Sequence, residues 1–153
     1  MTDELDALLD EAKPPQRMVD ICLRPDLIDE YKRLKSELAD ETEGSLAGGG
    51  SNDALKALEE RIRKATTTFT MRALPRKKYR ALVNEHRSKG EKDRAAGMDT
   101  DAFMSAVLRA SVVSPAMTDA RWERLESVLS TGQWEKLHAN AHVVNSTEAD
   151  VPF

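Results

Sequence analysis

The chain has 153 residues, enough for a single core but not for two, which argues against a two-domain enzyme. Its 23 lysines and arginines stand against 27 aspartates and glutamates, a formal net charge of −4, and 40% of residues are apolar, 33% charged and 5% aromatic. That balance reads as a soluble intracellular protein and speaks against a dedicated nucleic-acid or membrane-surface binder. No apolar run is long enough to cross a bilayer, and the single Cys22 excludes an internal disulfide and cannot hold zinc alone.

Residues 1–16 read as an acidic arm, with Asp3, Glu4, Asp6, Asp10 and Glu11 ahead of the first cation, Lys13. Leu5, Leu8 and Leu9 are its apolar stripe, and Pro14-Pro15 cannot continue a helix, so the spacing predicts a short frayed helix outside the core. An acidic, leucine-bearing segment can also be a partner-binding arm that folds on contact, but a loose terminus is the plainer reading.

Between Arg17 and Arg24, Val19, Ile21 and Leu23 alternate with Asp20, Cys22 and Arg24, which predicts a half-buried first strand. Pro25 then opens a helix whose seam is Leu27, Tyr31, Leu34 and Leu38. The Gly/Ser-rich stretch over 44–51 reads as a flexible linker, and a second helix follows from a cap at Asn52 or Asp53, with Leu55, Leu58, Ile62 and Ala65 on one side. The two seams suit an antiparallel helical hairpin. Thr66 to Leu74 is β-branched and alternating, a second strand stopped by Pro75. Two strands leave both edges unpaired, so self-association through Val19–Leu23 and Phe69–Ala73 is expected.

Beyond Pro75 the pattern is helical. Tyr79, Leu82 and Val83 mark the buried side of one helix, Ser88 to Gly97 is a polar connector, and a cap at Asp99 or Thr100 opens a central helix carrying Phe103, Met104, Val107 and Leu108. Thr118 caps a helix with Trp122, Leu125 and Leu129, and Ser130-Thr131-Gly132 turns into a last helix with Trp134, Leu137, Ala141 and Val144. The expected architecture is a mainly helical α+β domain over 17–153. It would comprise a two-stranded antiparallel sheet, a helical hairpin inserted between its strands, and a helical C-terminal half.

The chemistry-bearing residue types do not assemble into a catalytic pattern. His138 and His142 are four apart, as on metal-binding helices, but no third and fourth ligand accompanies them. A lone strand cysteine reads as a small buried hydrophobe. Gly48-Gly49-Gly50 is followed by no lysine before Lys56, so it is a linker and not a phosphate loop. No catalytic, cofactor or metal-binding residue is assigned, and the protein is read as a non-enzyme.

Two surfaces are candidates for binding. Arg72, Arg76, Lys77, Lys78 and Arg80 form the one dense basic cluster, either a phosphate-contacting patch or a solvated first turn. Trp122, Leu125, Trp134 and Leu137 supply large apolar side chains at matching helical positions, a candidate partner-binding surface. The two helices that carry them superficially match a helix-turn-helix, yet from Thr118 to Phe153 three cations face six carboxylates, and such a surface repels phosphate.

Val19-Asp20-Ile21-Cys22-Leu23-Arg24 with its following helix, Phe69 to Lys77 leading into the next, Gly132-Gln133-Trp134, and the closing Asp150-Val151-Pro152-Phe153 together resemble the tail assembly chaperone-like proteins of long-tailed actinobacterial phages and prophages. The resemblance covers roughly Arg17 to Phe153 and rests on structural motifs. It implies a non-enzymatic assembly factor of the host cytoplasm that binds and solubilises the tape measure protein, with the tail tube protein as a further partner, while tail tubes form. Relatives often continue past Val-Pro-Phe, sometimes through a translational frameshift, so the short product of such a pair and a virion component of similar ancestry are related readings. The alternative from another class is a phage-encoded nucleic-acid-binding regulator using Arg76, Lys77, Lys78 and Arg80.

Overall fold

A computed structural model describes residues 3–42, 49–86, 100–148 and 150–153. The linker read over 44–51 lies mostly outside them, as do the Ser88–Gly97 connector and Asp99. Among the described residues seven helices and three strands are formed. Helix α1 (Glu4–Glu11) is opened by Asp3, whose carboxylate accepts the N–H groups of Leu5 and Asp6. Strand β1 spans Gln16–Cys22 and helix α2 Pro25–Thr42, with proline at the first position, where its missing N–H costs nothing. Helix α3 (Gly49–Lys64) begins three residues before the expected cap, taking in glycines thought to be linker; first-turn N–H groups have no intrahelical partner, which makes glycine tolerable there.

Strand β2 spans Thr66–Arg72, and helix α4 (Arg76–Glu85) starts directly after Pro75. Helix α5 (Thr100–Ser111) runs into a short strand β3 (Val112–Ser114), ended by Pro115, which has no N–H to continue a ladder. Helix α6 (Asp119–Val128) is capped by Thr118. Helix α7 (Thr131–Ser146) has a full capping box, in which Ser130 and Gln133 exchange side chain-to-backbone hydrogen bonds of 3.1 Å each.

The sheet has three strands, in the order β1-β2-β3, where two were expected. The N–H of Ala73 donates to Pro15 O at 2.9 Å and that of Leu23 to Ala65 O at 2.8 Å, the pairing of antiparallel β1 and β2. On its other side β2 pairs with β3, Thr70 opposite Ser114 and Met71 opposite Val112, with a register irregularity between the two pairs. The expected free edge at Phe69–Ala73 is therefore filled, and β2 is the central strand. Three residues are too few to display alternation, so Val112-Val113-Ser114 left no strand signal of its own.

The chain gathers into two compact units, Asp20–Thr68 and Met1–Val19 with Phe69–Phe153. In the first, α2 and α3 pack on each other, Leu27 and Leu58 are buried, and the Tyr31 hydroxyl donates to Glu59 at 3.0 Å. In the second, α5 is the central helix, as its composition predicts. It packs most extensively on α7 and also meets α4 and β3. Phe103, Val107, Leu108, Leu137, Ala141 and Val144 form its core together with Phe69 and Met71. Asn145 ties this unit together: its amide donates to Ser111 Oγ at 2.9 Å and to Ala141 O at 2.8 Å, and its carbonyl accepts Leu74 N–H at 2.8 Å. Ser111 is wholly buried, so Asn145 supplies the partner its hydroxyl needs.

Candidate interaction site

Three of the four Trp/Leu candidates lie in the core. Trp122 is 3% exposed, Leu125 8% and Leu137 0%, so their expected role in touching a partner is overturned. Trp122 stacks on Phe69 with centroids 6.5 Å apart and meets Trp134 edge-on at 6.3 Å. The Arg109 guanidinium lies 6.0 Å from the Trp122 ring and pairs with Asp119 at 3.9 Å. The repeated Trp-x-x-Leu spacing sets Trp122 of α6 between Phe69 of the sheet and Trp134 of α7, in stacked and edge-on arrangements that add to the area the rings bury. Trp134 is half-buried, and His138 meets its ring at 5.4 Å.

The basic cluster is where the sequence places it. Arg72, Arg76, Lys77, Lys78 and Arg80 are all exposed, and among the described residues no carboxylate forms an ion pair with any of them. Three of the five stand in the first turn of α4, where the helix dipole favours anions, no acidic residue offsets them, and Pro75 offers no side-chain cap. Helix α4 buries none of its residues fully; Tyr79, Leu82 and Val83 are half-buried, Tyr79 against the edge of Phe103 at 5.7 Å. The result is a row of unneutralised cations beside a partly open apolar flank.

The opposite surface is α1, which the plainer sequence reading set aside. None of its residues is buried; Leu5, Leu8 and Leu9 are 59%, 65% and 60% exposed, flanked by five carboxylates. The signal was the i, i+3, i+4 spacing of the leucines, a seam with nothing on it. Other exposed apolar side chains include Met18 on β1, Val113 on β3, and Val151 and Phe153 beyond α7.

The remaining candidates carry no chemistry. His138 sits 3.3 Å from Ser105 Oγ, and burial pushes its imidazole below the ordinary range, opposed by the charges of Asp101, Glu126 and Glu135. His142 is exposed, and among the described residues no group of three or more His, Cys, Asp and Glu side chains could hold a metal ion. A shallow groove between α2 and α3, lined by Ile28, Tyr31, Lys35, Glu59 and Ile62, is occupied by the Tyr31–Glu59 hydrogen bond and by Lys35 over the Tyr31 ring at 5.9 Å. Glu123, Glu126 and Glu135 project from the exposed faces of α6 and α7, where a DNA reader would carry cations. No helix among the described residues is long and apolar enough to cross a membrane. Comparison with known protein families, with curated proteins and with solved structures returns no match.

Proposed function

We propose that the chain is a phage tail assembly chaperone, a binding protein and not an enzyme, that keeps a tape measure protein soluble in the cytoplasm of the bacterial host. The observation that carries this reading is α1, whose three leucines are displayed to solvent at helical spacing in a segment rich in carboxylates. A helix of this kind engages a client by laying its apolar stripe along a groove or another amphipathic helix, with its charges setting orientation and solubility. The four segments that resemble the tail assembly chaperones support the same conclusion. With Trp122, Leu125 and Leu137 in the core, the client-binding surface moves to the arm.

The test is co-expression with a tape measure protein, scoring the fraction that stays soluble. Leu5→Ser, Leu8→Ser and Leu9→Ser together should abolish the rescue while leaving the thermal midpoint unchanged, since none of the three is buried. Equal insolubility of the tape measure with and without the unmodified protein refutes the reading. Recovery of the chain from finished particles would favour the structural tail component instead. The exposed, unpaired cluster Arg72, Arg76, Lys77, Lys78 and Arg80 favours the nucleic-acid-binding regulator, whose signature is DNA or RNA binding that weakens steeply with salt.

A further inference from the structure

The arm and the basic cluster are complementary in sign and in apolar character. Five carboxylates (Asp3, Glu4, Asp6, Asp10, Glu11) surround the leucines of α1, and five cations (Arg72, Arg76, Lys77, Lys78, Arg80) surround the half-buried Tyr79, Leu82 and Val83 of α4. Neither set is neutralised by the other within the chain: among the described residues no ion pair joins them. Yet the arm is rooted beside the cluster, because Ala73 N–H donates to Pro15 O at 2.9 Å, one residue past Arg72. Between the root and α1 stands Pro14-Pro15, whose fixed φ angles hold the chain extended and oppose a fold-back onto its own α4.

From this juxtaposition we infer that the protein is an arm-exchanged dimer, in which α1 of each copy docks on the α4 cluster of the other. A two-fold axis passing beside the roots satisfies both contacts at once. Helix α1, about 12 Å long at 1.5 Å per residue, then lies along the first turns of the second copy's α4. Leu5, Leu8 and Leu9 cover the flank left by Tyr79, Leu82 and Val83, and the arm's carboxylates meet the cations at a helix N-terminus where the backbone dipole also favours them. The contact is isologous and closed, so it ends at two copies. It occupies the same leucines that would bind a client, so a client and the dimer compete.

The experiment is sedimentation velocity of the full chain and two charge-reversed proteins. One carries Asp6→Lys, Asp10→Lys and Glu11→Lys, which takes the arm past neutrality; the other carries Lys77→Glu, Lys78→Glu and Arg80→Glu, which does the same for the cluster. All six positions are exposed, so circular dichroism should match the unmodified protein, and thermal unfolding should match it at high salt, where the dimer is weakened. The unmodified chain should sediment as a species of twice 17.0 kDa at low salt, with self-association at least about tenfold weaker at high salt. Each reversed protein alone should be a monomer. Mixed, they should recover a dimer, because each arm then meets a cluster of opposite sign. A monomer at every concentration in low salt overturns the inference, as does a dimer that survives both reversals, since it would be held by another surface such as β1. Failure of the mixed pair to associate also overturns it.

Discussion

Helices α1 and α7 both carry apolar residues at helical spacing, and the structure treats them in opposite ways. In α7, Leu137, Ala141 and Val144 disappear into the core against α5, and Trp134 adds its ring to that of Trp122. In α1, Leu5, Leu8 and Leu9 stay mostly exposed. The pattern along the chain is the same kind of seam, and what differs is whether another element arrives to cover it. An apolar stripe is therefore a statement about a helix's need for cover, which the chain supplies for α7 while the stripe of α1 stays exposed.

That contrast breaks most visibly under truncation. Trp122→Ala should lower stability by about 3–5 kcal/mol, because it removes a buried ring that contacts Phe69, Trp134 and the Arg109 guanidinium, whereas Leu8→Ala should stay within about 0.5 kcal/mol. Urea unfolding of the two variants at high salt, where the arm-exchanged dimer is weakened, reads the difference directly, and equal losses would mean that α1 packs on its own chain. A polar tie sharpens the same comparison. Asn145→Leu leaves the buried Ser111 hydroxyl and the Leu74 N–H without their partner and should cost about 1–3 kcal/mol in the same assay.

The smallest effect is a pH dependence confined to the core helix. Burial holds the His138 imidazole below its ordinary value, so the folded state prefers the neutral ring while the unfolded chain takes up its proton at higher pH. Its contribution is complete above the unfolded value of about 6.5 and declines as pH falls through it, since the unfolded state then binds more protons. Thermal midpoints should therefore drop on the acid side of that value, and His138→Gln should flatten that part of the profile. No change at Leu8 or elsewhere on α1 should alter it.

The chain's own residues made much of the secondary structure legible. Thr118 and the Ser130–Gln133 pair announced the starts of α6 and α7, Pro75 that of α4, and the alternation through Ile21 and Met71 the two longer strands, because caps, prolines and period-two patterns act over a few residues. The exposed basic cluster was legible too, as cations with no acid among them have little reason to be buried. The reading of α1 as a short helix outside the core agrees with its exposed leucines, whereas Trp122, Leu125 and Leu137 were read as surface and are buried, because a seam's spacing does not say what lies across from it.

The sequence by itself determined where α2, α4, α6 and α7 begin, that β1 and β2 flank a helical pair, and where charge of each sign collects. Only the tertiary structure decided that β3 closes the far side of β2, that Asn145 joins α7 to Ser111 and Leu74, that the chain gathers into two units, and which apolar seams are covered. Capping and strand alternation are local. Burial is a sum over residues far apart in sequence: Phe69 and Trp122 stack although 52 residues lie between them, a pairing that no local window of the chain contains.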